Sequence, residues 1–172
     1  MKYRSYLQCV LTCALVAASD CEDRKDDGVV RRDGEPDFVT QYDEKAMTDA
    51  VAKAKATWKE FSAALARPAP GMTNFTVKRG FLVDDDPEGE HIWLSNVSFD
   101  GEKFRGTVDN NPVSTKEVKF GQIVDVRPEE LTDWMFVENG ILRGGYTLRV
   151  LIMQESPEDR KKLLKTLGFR LE

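Results

Sequence analysis

Between Asp43 and Ala66 apolar residues recur at helical spacing. Met47, Ala50, Val51, Ala54, Trp58, Phe61 and Leu65 lie three or four apart, which winds them onto one face of a helix. Lys45, Asp49, Lys53, Lys55 and Glu60 fill much of the remaining surface. Pro68 disfavours helical geometry in the residue before it, so the helix is predicted to stop at Arg67, with Pro68-Ala69-Pro70-Gly71 as a turn. The stripe is short and rich in Ala, the pattern of a helix packed on a sheet rather than of a coiled coil.

After Gly71 the period changes to two. Phe75 to Asp84 reads as a strand, with Gly80 marking a bulge. Asp84-Asp85-Asp86-Pro87-Glu88-Gly89 reads as a solvated acidic turn, because it lacks the later ligands and flanking helices of a calcium loop. His91 to Phe99 alternates around an irregularity, and Lys103 to Asp109 returns across Asp100-Gly101, a hairpin signal. Gly121 to Arg127 is a further strand, followed by a helical turn at Pro128-Glu129-Glu130-Leu131. Trp134 to Glu138 and Ile141 to Arg143 pair across Asn139-Gly140. Tyr146 to Gln154 is apolar and reads as helix, because it runs into a helical tail. Ser156 and Pro157 start that last helix, Leu163, Leu164 and Leu167 give it a buried stripe, and Gly168 ends it. The prediction is an α+β domain over residues 43–172. About five antiparallel strands are packed by a long N-terminal helix and by C-terminal helices.

The N-terminus follows another pattern. Lys2 and Arg4 precede the uncharged, mostly apolar run Leu7 to Ala18, too short for the roughly 30 Å hydrocarbon core of a bilayer. A basic start, a short apolar run and small residues after it predict a signal peptide over residues 1–18. Ser19 to Asp37 holds eight acidic and four basic residues. So little apolar surface predicts a charged, flexible tether over residues 19–42. Cleavage leaves Cys21 as the one remaining Cys, a position for lipidation, although Asp20 and Ala18 depart from the lipobox. The expected location is the periplasm or a membrane-anchored lipoprotein.

Composition narrows the chemistry. The chain has 172 residues, 25 Lys plus Arg, 30 Asp plus Glu and a net charge of -5. This acidic balance argues against nucleic acid as a partner, since phosphates are met with basic charge. A single His and three Cys within the first 21 residues argue against a metal centre or a disulfide scaffold in the body. No cofactor motif occurs. Asn74-Phe75-Thr76 and Asn96-Val97-Ser98 match glycosylation acceptors, but the export signal has a bacterial pattern.

Three patches carry polar groups of interest. Glu90-His91-Ile92-Trp93 places a residue that titrates near neutrality beside a carboxylate, yet on a strand Glu90 and His91 point to opposite faces. Asp133 in Thr132-Asp133-Trp134-Met135 sits where a carboxylate commonly accepts backbone N–H groups, with Trp134 as a core anchor. Gly144-Gly145-Tyr146-Thr147 and Arg149 follow, without the spacing of a phosphate or dinucleotide loop.

In this order, with Gly106, Asn111-Pro112 and Gly121 between, these pieces resemble the YegJ-like family of uncharacterised bacterial proteins. The resemblance runs from about Ala46 to Leu171. That family has no established activity, so the resemblance implies no catalytic residue. The reading is a non-enzymatic binding or interaction domain tethered at the cell envelope, meeting a protein or small ligand. Its candidate contact residues are His91, Trp93, Asp133, Tyr146 and Arg149. The rivals are a small hydrolase using His91 with Glu90 or Asp133, and an inhibitor or immunity-type protein.

Overall fold

A computed structural model describes residues 43–84 and 86–172, without the side chains of residues 86–88. The expected signal peptide over residues 1–18, the expected tether over residues 19–42 and Cys21 lie outside the described residues.

Helix α1 spans Glu44–Ala66. The Asp43 carboxylate accepts the Ala46 N–H at 3.1 Å and caps its start, satisfying a donor that the first turn leaves free. Arg67 ends it, where Pro68 requires. Among the described residues six strands follow, where about five were expected: β1 Met72–Val83, β2 Asp86–Phe99, β3 Phe104–Val108, β4 Ile123–Val126, β5 Leu131–Glu138 and β6 Ile141–Gly144. Helix α2 covers Tyr146–Gln154, and α3 covers Pro157–Leu167 between the Ser156 cap and the left-handed Gly168. The strands form one sheet in the order β4-β3-β2-β1-β5-β6, all neighbours antiparallel. The sheet curls far enough for Arg79 Nη1 on β1 to donate to the Asp125 carbonyl on β4 at 3.2 Å.

Strand alternation divides the core in two. Val77, Ile92, Leu94, Phe104, Val126, Trp134 and Phe136 pack with Ala54 and Phe61 of α1. Their neighbours Trp93, Met135, Val137 and Leu142 pack with Leu148, Leu151 and Ile152 of α2 and Leu163 of α3. Phe61, fully buried, meets Phe75, Phe104, Trp134 and Phe136 at ring-centroid distances from 5.6 to 6.5 Å. Trp58 is half-buried, its ring edge-on to Phe99 and Phe104.

Three strands carry an extra residue. Between Thr73↔Val137 and Thr76↔Met135 the surplus is in β1; between Ser95↔Thr107 and Ser98↔Arg105 it is in β2. Asn74 and Asn96 sit at these places with φ of 55° and 51°, a region Asn enters more readily than most side chains. The two glycosylation-like triplets are thus bulge sequences. The third surplus is Thr132 of β5, between Lys78↔Asp133 and Arg79↔Leu131. Gly80, expected to bulge, pairs regularly with His91. Its missing side chain serves another purpose: a Cβ there would touch the His91 ring at 3.4 Å.

Candidate functional site

The start of α2 has a problem of its own making. Gly145, the residue before its first turn, is left-handed (φ 62°) and has no side chain to cap the helix. Asp133 supplies the cap from β5. Its Oδ1 accepts the N–H groups of Trp134 (2.8 Å) and Tyr146 (3.1 Å); its Oδ2 accepts the N–H (2.8 Å) and hydroxyl (2.6 Å) of Thr147. Lys78, opposite Asp133 on β1, places Nζ 3.3 Å from Thr147 Oγ1 and 5.4 Å from the Trp93 ring centroid. Lys78 therefore donates to Thr147, which donates to Asp133.

Burial pushes the Asp133 carboxyl above its ordinary value, while the Thr147 hydroxyl, the Lys78 charge and the N–H groups act the other way. All four contacts reach it as donors, so the geometry fits the carboxylate. The positive end of α2 adds to that fit.

The remaining residues of this stretch support the same junction. Trp134 Nε1 donates to the Ala54 carbonyl of α1 at 3.1 Å. The half-buried Tyr146 stands edge-on to Trp134, accepts the Thr57 hydroxyl at 3.2 Å and has Lys53 above its ring. Arg149 donates to the carbonyls of Gly144 (2.8 Å) and Leu142 (2.6 Å), tying α2 to β6.

Glu90 and His91 part to opposite faces. Glu90 is buried, and its two oxygens accept the N–H groups of Val113, Ser114 and Thr115 at 2.8 to 2.9 Å. His91 is half-buried; its ring crosses Gly80 and its Nδ1 lies 3.0 Å from Thr132 Oγ1. The lone His thus meets the extra residue of the β5 bulge; Glu90 and Asp133 have their oxygens engaged with backbone.

The candidate contact residues do not share one exposed surface. Trp93 and Asp133 are inside, 2% and 0% exposed. Their contact role in the sequence reading rested on exposure, and the second core cluster and the α2 junction enclose them instead. His91, Tyr146 and Arg149 retain partial exposure. Sequence reasoning did not single out Lys78 as a site residue. Its signal was a Lys at an alternating position between Val77 and the apolar run Phe81 to Val83. Among the described residues no three His, Cys, Asp or Glu side chains gather as metal ligands, and no helix is long and apolar enough to cross a membrane.

The outer surface differs. Leu82, Val113, Phe120 and Ile123 are 73%, 49%, 60% and 65% exposed. Three of them lie on or just after the loop between β3 and β4. That loop is held from inside by Glu90 and tied to Leu82 by the Thr115 hydroxyl (2.7 Å) and the Glu117 carboxylate (2.8 Å).

The junction and the Glu90 anchor account for the Glu90–Trp93, Asp133–Met135 and Gly144–Arg149 pieces, and the family model that matches residues 44–171 spans them all. The chain belongs to the DUF2314 family. Its description is an uncharacterized protein conserved in bacteria. The chain is 30% identical over 128 residues to the uncharacterized protein YegJ of Escherichia coli, covering 72% of this chain and 81% of that one. It is 32% identical over 129 residues to a putative ankyrin repeat protein of Neisseria meningitidis, covering 72% of this chain and about half (51%) of that one. No solved structure matches the chain.

Proposed function

We propose that this DUF2314 protein is a binding or interaction domain, exported and tethered at the bacterial envelope, rather than an enzyme. The observation that carries the reading is the exposure of Leu82, Val113, Phe120 and Ile123, three of them on or just after the β3–β4 loop, whose Val113–Thr115 stretch Glu90 fixes from within. Exposed large apolar side chains that recur along one anchored loop offer a surface to another molecule. The polar residues that would serve chemistry are engaged in building the scaffold. The basic start, the apolar run and the charged segment before α1 support export, and Cys21 offers a lipid anchor.

The test is complementation of the defect caused by deleting the gene, read beside thermal melts. Val113→Ser combined with Phe120→Ser is expected to keep the melting temperature and to fail to complement. His91→Gln is expected to cost about 1 kcal/mol, the usual net worth of one hydrogen bond, and to complement. A folded His91→Gln protein that fails, with an assayable activity lowered by roughly 10²–10⁴, would replace this reading with general base catalysis.

A further inference from the structure

The two edges of the sheet are finished differently. Along β6 the chain's own C-terminal segment closes the edge: Leu142 N–H donates to the Arg170 carbonyl at 2.9 Å, and Arg170 N–H to the Gly140 carbonyl at 2.8 Å. No described strand pairs with the outer side of β4.

The backbone direction along β4 follows from its entry. Gly121, at φ 77°, donates to the Val108 carbonyl at 2.9 Å, and Val108 N–H donates to the Gln122 carbonyl at 2.9 Å. This is a bulge with Gly in its left-handed position. From Val108 the pairing runs Thr107↔Ile123, Gly106↔Val124, Arg105↔Asp125 and Phe104↔Val126. Alternation then turns the N–H and C=O groups of Val124 and Val126 inward and those of Ile123 and Asp125 outward. The Asp125 carbonyl accepts Arg79, and a carbonyl has a second lone pair. The outward row is flanked by exposed Phe120 and carries exposed Ile123; β4 is short and bears Asp125, but Lys and Pro, two of the residues that blunt edges, do not occur between Ile123 and Val126.

We infer that β4 pairs with β4 of a second copy of this chain, antiparallel about a two-fold axis, joining two six-stranded sheets. This rests on the interaction-domain reading and names its partner. With the axis at Val124, Ile123 of each copy faces Asp125 of the other, so the outward groups meet as two doubly bonded pairs. Phe120 approaches Pro128, and Lys119 comes to the side of Glu129, which is 68% exposed and pairs with Arg127 of its own chain at 3.1 Å. Any antiparallel self-pairing brings the Lys119 flank of one copy toward the Glu129 flank of the other. That is charge complementarity a two-fold interface requires of a single strand.

The experiment uses the full chain in bacterial cells, carrying two different tags on two co-expressed copies. A photo-crosslinking phenylalanine analogue replaces Phe120 or, as a control on α3, Lys161. The expected result is an adduct bearing both tags from position 120 and not from position 161. Adding Ile123→Pro, which removes the outward N–H that each copy gives to the shared row and no bond inside the sheet, is expected to abolish that adduct without changing the melting temperature. An adduct from position 120 only with a different protein would overturn self-pairing and leave the interaction reading standing. No adduct from position 120 with any protein would overturn both. A two-tag adduct undiminished by Ile123→Pro would place the contact elsewhere and overturn the β4 pairing.

Discussion

Asp133 concentrates more of the fold's order than any charged residue in its neighbourhood. Fully buried, it meets one donor from β5 and three from the start of α2: Trp134 and Tyr146 on one oxygen, both Thr147 donors on the other. Asp133→Ala leaves those donors without their acceptor and removes the opposite charge near Lys78. The expected loss is about 3–5 kcal/mol, the range for breaking a buried pair from one side. Thr147→Val keeps the backbone N–H and removes only the hydroxyl, so about 1–2 kcal/mol is expected. Urea denaturation of the two variants checks the order; equal losses would show that the hydroxyl, rather than the carboxylate, organises the junction. Only the kind of contact was legible in advance. The Asp133 position was read as one that accepts N–H groups, but its partners stand up to 14 residues away, and spacing alone does not bring them together.

At the scale of elements the alternation of apolar and polar residues carried most of the prediction. Helix α1, both Gly-containing hairpins, the strand pattern and the last helix with its Ser156 and Gly168 ends are local features, written within a few residues of where they act. Bulges are not local. Thr132 becomes surplus only because β1 opposite it supplies Lys78 and Arg79 without a residue between. The β6–α2 corner is likewise set by a neighbour. A Cβ on Gly144 (φ 67°) would lie 2.3 Å from the Trp134 carbonyl oxygen and 2.5 Å from its ring, whereas one on Gly101 (φ 105°) would meet nothing within 4 Å. Gly144→Ala is therefore expected to lower the melting temperature well beyond Gly101→Ala, whose loss is that of backbone strain, about 1–3 kcal/mol. Similar melts for the two would mean that the corner relaxes without disturbing Trp134.

For the whole molecule, acid is the informative stress. Arg105 first, and Lys103 next, hold the Asp125 carboxyl well below the usual carboxylate range. In the unfolded chain it returns to about 3.9. A depressed folded value means that its contribution is complete above the unfolded pKa and is lost as pH falls below about 4. Asp133 has the opposite sign: its folded value is raised by burial, so its contribution is greatest at low pH and declines as pH rises through the folded value. Asp125→Asn is expected to flatten the fall in stability below about pH 4, measured by denaturant midpoints across pH. Superimposable acid limbs for wild type and variant would show that Asp125 does not set the slope.

The Glu90 anchor has an evolutionary consequence. A carboxylate that grips Val113, Ser114 and Thr115 through N–H groups recognises main chain and ignores the identity of the side chains it fixes in place. Every residue type except proline offers the same handle. Selection can therefore rewrite the outward-facing letters of that loop, trading Val113 for a charge or an aromatic ring, while the frame that presents them stays in register. Bacterial lineages sharing this domain can diverge in the surface that loop presents through a few codons, with the stability of the fold insulated from the change.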